Sequence, residues 1–171
     1  MKRVLTALAL GIGLQVGPVA AADIAPEGII DSVFTWSAVP TSMPTAGGRE
    51  TYIADTMLVV TAAAPGSVLD KLGARCLGMG QMDAASGFDT SSGSCTFADA
   101  DGDQIFETWE ETTPAAGVQA KGTGKILGGT GKFAGITGEY EYTSDFFASA
   151  KDGTFQGVGH KKGRYRIAKP S

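Results

Sequence analysis

The chain has 171 residues, with 14 Lys or Arg against 18 Asp or Glu, one His and a formal net charge of −4. This acidic balance argues against a nucleic-acid partner, because binding to phosphate backbones draws on clustered basic charge. Its 25 glycines, about 15% of the chain against a usual share near 7%, sit among aromatic and β-branched residues, which reads as bends in an all-β fold rather than disorder.

Residues 1–22 have the layout of a secretory signal peptide: Lys2-Arg3, the apolar run Val4–Leu14, then Ala20-Ala21-Ala22 before cleavage at Asp23. The run is shorter than the roughly 20 residues of a spanning helix, so no stable membrane anchor is expected. Removing Lys2 and Arg3 leaves 12 basic residues against 18 acidic ones, a charge of about −6. Residues 23–171 suffice for one domain with a real core. Export to the periplasm or the medium puts Cys76 and Cys95 in an oxidising compartment, where a disulfide is the default.

After a leader holding Pro26, the β-formers of Ile29–Val39 predict the first strand. Pro40–Gly48, with two prolines and two glycines, predicts a loop. Thr51–Ala62 alternates with both faces mainly apolar and is expected to be the most buried strand. Pro65–Leu72 has room for one helical turn. Ala74–Met82 and Gly93–Ala98 predict a hairpin, and placing Cys76 opposite Cys95 puts its axis between Ala85 and Ser86, inside a turn-like segment.

Asp99-Ala100-Asp101-Gly102-Asp103 is an acidic turn, followed by a strand over Gln104–Thr112 and a break at Pro114–Gly117. Val118–Leu127 leads into the glycine-rich Gly122–Tyr142 stretch, where Gly-Thr-Gly-Lys occurs at Gly122–Lys125 and again at Gly129–Lys132. Both copies read as glycine bends at the seam between strands. Thr137–Phe147 and Thr154–Ile167 complete about eight strands, separated by Ala148–Gly153. Even spacing without a long helix argues for an antiparallel barrel or sandwich, and glycines within the strands favour the barrel.

Neither Gly-Thr-Gly-Lys copy is a phosphate loop, because positions 119 and 126 are Gln and Ile and the lysines are followed by Ile126 and Phe133. A bare G-x-G-x-x-A at Gly129–Ala134 lacks the helix that a dinucleotide site needs. Asp99 and Glu110 have the first-to-twelfth spacing of a calcium loop, but Gly102 stands fourth rather than sixth and no helices flank it, so no metal is expected. Glu107, Glu110 and Glu111 around Trp109 are the candidate proton-transfer groups, since burial would raise a carboxyl's pKa. Alternation puts Glu107, Trp109 and Glu111 on one face and Phe106, Thr108 and Glu110 on the other, and leaves open which is inward. His160 beside Lys161-Lys162 reads as an exposed strand residue, and the basic run His160–Arg166 as an edge strand protected by charge.

Cys76, Gly87, the run Gly93–Asp103, Trp109-Glu110 and Gly129–Gly138 together resemble the bacterial secreted proteins of the allene oxide cyclase barrel-like group, over about Ile29 to Ile167. The Gly-Thr-Gly-Lys-aromatic-x-Gly-x-x-Gly segment is also similar to a turn of dirigent proteins. The resemblance implies an eight-stranded antiparallel barrel with a mostly apolar cavity, often trimeric in plant relatives. Plant allene oxide cyclases steer the cyclisation of an unstable fatty-acid epoxide and dirigent proteins direct the coupling of phenolic radicals, neither with a redox cofactor in the barrel. The expectation is an all-β exported barrel binding a small apolar or aromatic molecule. It is expected to be a cofactor-free isomerase, cyclase or lyase, or else a non-catalytic container, with a dimer or trimer as its homo-oligomer. Catalytic candidates are Glu107 and Glu110; ligand-binding candidates are Trp109, Phe133, Tyr140 and Tyr142.

Overall fold

The computed structural model describes residues 24–64, 67–147 and 153–168, so the expected leader over 1–22 lies outside them. Eight strands follow one another in these residues: β1 (Glu27–Thr45), β2 (Arg49–Ala63), β3 (Gly73–Asp83), β4 (Asp89–Ala98), β5 (Gln104–Thr113), β6 (Ala120–Gly129), β7 (Ile136–Phe146) and β8 (Phe155–Ile167). Each pairs antiparallel with the next and β8 returns to β1, closing an all-β barrel. A single turn of 3-10 helix, Gly131–Phe133, interrupts the series.

Alternation decides which side chains enter the barrel. Even-numbered residues of β1, β2, β3, β6 and β7 face inward, as do odd-numbered ones of β4, β5 and β8, with the alternation shifted by one at the bulges near the ends of β2 and β6. The inward face explains the glycines better than curvature alone does. Phe34 lies opposite Gly159, Trp36 opposite Gly157 and Tyr165 opposite Gly28. Tyr52 faces Gly80, Trp109 faces Gly93, and Tyr140 and Tyr142 face Gly124 and Gly122. A methyl group added at any of these glycines would meet the facing ring at 2.8 Å or less. Each ring therefore lies over a position without a side chain, which lets seven large aromatics share one narrow barrel.

One end of the barrel is closed by apolar side chains. Val68, Leu69 and Leu72 from the β2–β3 connection join Ile30, Phe97, Ile105, Phe133 and Ile136, all 2% exposed or less. Fully burying such a side chain stabilises the fold by about 1.5–3 kcal/mol. The β2–β3 connection, expected to hold one helical turn, is an irregular turn over 67–72 with Lys71 at φ 59°.

Three further expectations are corrected. β1 does not stop before Pro40. It runs to Thr45, because β8 ends as its neighbour at Ala38↔Phe155 and the prolines fall on an open edge where a missing N–H is tolerated. β2 is not the most buried strand. Its second apolar face, with Ile53, Met57 and Val59 more than 50% exposed, lies on the outside of the barrel. Nor is β8 an edge strand, since it is paired along its length with both β1 and β7. The first Gly-Thr-Gly-Lys copy lies within β6 rather than at a bend, whereas the second makes the β6–β7 turn.

That second copy also disposes of the acidic turn. Asp99 Oδ1 accepts from the amides of Asp101 and Asp103 at 2.9 and 3.0 Å, and Lys132 Nζ reaches Asp99 and, at 3.1 Å, Asp101. Gly131, at φ 53°, leaves space that a side chain would take from Asp103, whose carboxylate accepts from the Lys132 amide. The expected hairpin register is observed: Cys76 pairs with Cys95 and is bonded to it, with Cα atoms 4.0 Å apart. Both sulfurs point inward, consistent with an oxidising compartment. The Cys76→Ser/Cys95→Ser variant should lose roughly 3 kcal/mol of stability in urea unfolding, the amount expected for a closed loop of this size.

Candidate functional site

β5 supplies the acidic wall. Its inward residues are Ile105, Glu107, Trp109, Glu111 and Thr113, so the sequence ambiguity resolves in favour of the Glu107 face. Glu110 points outward and is exposed, away from the interior. On the opposite wall Lys161 faces in from β8 between Gly159 and Gly163.

Glu107 and Lys161 meet at mid-barrel. Lys161 Nζ lies 2.6 Å from Glu107 Oε1 and donates to the Tyr140 hydroxyl at 3.1 Å. The two charged residues are 3% and 2% exposed, and Nζ sits 4.3 Å and 4.7 Å from the ring centroids of Tyr140 and Phe97. Burial pulls the Lys161 pKa below the lysine range, against the opposing charge and hydrogen bond of Glu107. The Tyr140 hydroxyl is pushed upward by burial and then by Glu107, to which it donates. Three polar groups thus satisfy one another inside an apolar shell, an arrangement suited to holding shape.

Above this triad the barrel turns polar again, with half-buried groups. Glu111, Gly122 and Tyr142 stand in one row across β5, β6 and β7, so the Tyr142 side chain crosses the glycine to reach the carboxylate. Burial raises the Glu111 pKa to about 7, moderated by the Tyr142 hydrogen bond and helped by the charge of Asp89. Tyr142 itself is pushed up by burial and by Glu111. Tyr52 donates to Asp89 Oδ2 at 2.7 Å. Burial raises the Asp89 pKa too, opposed by Tyr52 and the Thr90 amide. Trp36 Nε1 donates to Ser144 Oγ at 2.9 Å and stacks edge-on against Phe146.

The site therefore joins Glu107, Glu111, Trp109, Tyr140 and Tyr142 of the sequence candidates. Phe133 is 2% exposed in the apolar plug at the other end, and His160 lies outside the barrel, 2.6 Å from Asp31. Lys161, Asp89, Tyr52 and Trp36 complete it. Lys161 was hidden in a run that reads as solvated charge, although alternation alone groups it with Gly157, Gly159, Gly163 and Tyr165 rather than with His160, Lys162, Arg164 and Arg166.

Chemically, the mouth offers a carboxyl whose pKa burial raises to about 7, next to phenolic donors and with the Trp109 indole on the same face of β5. Outside the barrel, β1, β2 and β3 carry exposed Val39, Ile53, Met57, Val59, Leu77 and Met79 around an open depression of about 590 Å³ that includes Asp55 and Arg75.

No family model matches the chain, and no curated protein matches it in sequence. Among solved structures, a pterocarpan synthase dirigent protein matches with a TM-score of 0.52 at 11% identity, over 93% of this chain and 100% of the other. At that identity the likeness concerns the fold, and it is to a dirigent protein that this closed eight-stranded barrel is similar.

Proposed function

We propose that this is an exported barrel of the allene oxide cyclase and dirigent type that binds a small aromatic or apolar molecule at its mouth. There it moves a proton on that molecule, without a cofactor, as an isomerase, cyclase or lyase. The observation that carries this reading is Glu111, a half-buried inward carboxyl with a pKa near 7 among Trp109, Tyr142 and Tyr52. Glu107 is locked to Lys161 and Tyr140 and forms the floor, while Glu110 is outside. Glu111 takes the role of acid or base, and Tyr142 and Tyr52 supply donors for developing charge. The Cys76–Cys95 bond supports export, and among the described residues no helix is long and apolar enough to cross a membrane. The exposed apolar face of β1, β2 and β3 suits a homo-oligomer of two or three barrels.

Native mass spectrometry of protein purified from its own periplasm or medium tests the reading. A small molecule released on unfolding, and turned over with a rate that falls about 100-fold or more in Glu111→Gln, is the expected result. A bound molecule whose fate is indifferent to Glu111 would make the barrel a non-catalytic container. An empty barrel that takes up no aromatic probe would end the proposal.

Glu111 also predicts a pH dependence of stability. Its folded pKa, about 7, is raised above the ordinary 4.5, so the folded state holds its proton more tightly than the unfolded one. The resulting stabilisation is complete below pH 4.5 and is lost as pH rises through 7. Glu111→Gln should flatten that part of the stability profile in urea unfolding, whatever the substrate.

A further inference from the structure

The charges inside the barrel do not balance. Among the described residues Lys161 is the one buried cation, and Glu107 already occupies it. Asp89 and Glu111 remain, sharing a wall of β4 and β5 with hydroxyl and amide donors: Tyr52 and the Thr90 amide at Asp89, Ser91 hydrogen-bonded to Tyr52, and Tyr142 at Glu111. In register, Asp89 faces Thr113 and Ser91 faces Glu111, so these four inward residues form one continuous patch. Thr113 is 7% exposed, yet its Oγ1 has no hydrogen-bond partner, although it lies on the inward face beside both carboxylates. A buried hydroxyl left without a partner has the directional acceptor that an N–H donor would use.

The surroundings specify the donor further. Tyr52, Trp109 and Tyr142 stand around the same patch, each ring seated over a glycine and so held in place, with the Tyr52 and Tyr142 hydroxyls on the carboxylates. Carboxylates within an aromatic wall make the chemistry that recognises an organic cation: the charge is attracted both to the acids and to the negative faces of the rings. A metal ion would want more oxygen ligands than this wall gathers, and no group of three or more His, Cys, Asp or Glu able to hold one occurs among the described residues.

Resting on the small-molecule reading above, we infer that the barrel mouth selects an aromatic molecule bearing a protonated amine. The ammonium is seated against Asp89, Glu111 and Thr113, with the aromatic body against Tyr52, Trp109 and Tyr142. Two acids that burial disfavours as anions are then relieved by the ligand's charge. Lys161 and Glu107, one level deeper, neutralise each other and do not repel it.

Three probes with the same phenethyl body and different charge decide this: phenethylamine, 2-phenylethanol and 3-phenylpropionate. Their binding to the full chain is read by tryptophan fluorescence, with a chelator present. At pH 8 the amine is expected to bind at least about tenfold more tightly than the alcohol, and the carboxylate not to bind. The preference should shrink as pH falls through 7 and Glu111 takes up its proton, facing Tyr142, Tyr52 and Asp89. It should also shrink in Asp89→Asn and Glu111→Gln, whose shapes are conserved. If the alcohol or carboxylate binds as well as the amine, the cation inference fails while the small-molecule reading stands. If none of the three binds, both fail. The wild-type comparison needs no variant to fold.

Discussion

Lys161→Met is expected to destabilise the barrel by about 3–5 kcal/mol, because it leaves Glu107 buried without its cation. Methionine fills much of the same space, so a lost cavity contact is a minor part of the effect. The Glu107 carboxylate, 2% exposed, would keep the Tyr140 hydroxyl as a donor but lose the opposite charge beside it. Lys161→Met/Glu107→Leu should recover most of the stability, since replacing both partners of a buried pair by apolar groups is often neutral. Urea unfolding of the three proteins reads this directly. A Lys161→Met variant within about 1 kcal/mol of wild type would show that the pair is not desolvated.

The same pair shows what a sequence discloses about a barrel. Strand number, the Cys76–Cys95 register and the strand-turn-strand form of Gly122–Tyr142 follow from short-range signals: alternation, turn residues and cysteine spacing. Which face of β5 points inward does not, because each face carries an aromatic residue and an acid. That choice depends on closure of β1 onto β8, the longest-range pairing in the chain. Closure also turns the basic run His160–Arg166 from a charged edge into two populations. His160, Lys162, Arg164 and Arg166 face outward and Lys161 lies in the core. The both-sided apolar pattern of β2 misleads for the reverse reason. Its outer residues are exposed in the single chain, so the pattern reports a surface that is apolar, not a strand that is enclosed. Tyr52 and Asp89, 37 residues apart, could not be linked by any local signal.

Gly124→Val is expected to cost about 1–3 kcal/mol, and the loss should depend on Tyr140. A Cβ at 124 would stand 2.1 Å from Tyr140 Cζ and 2.2 Å from its hydroxyl oxygen. A phenol at the surface would swing away, but this one accepts from Lys161, donates to Glu107 and is 4% exposed. It is also flanked on its second side by Gly163, where a Cβ would strike the backbone of Glu139 and Tyr140. The ring cannot yield without breaking the triad that neutralises the centre of the barrel. In Gly124→Val/Tyr140→Ala the clash is absent, so the double variant should be more stable than the sum of the two single losses allows, a coupling of at least about 0.5 kcal/mol. Gly128→Ala on the same strand is the control. Nothing lies within 4 Å of its added methyl and its backbone has no positive φ, so stability should hold or rise slightly. Additive losses at 124 and 140 would mean that the aromatic rings do not need their glycines. The density of glycine in this sequence would then have to be explained by strand curvature alone.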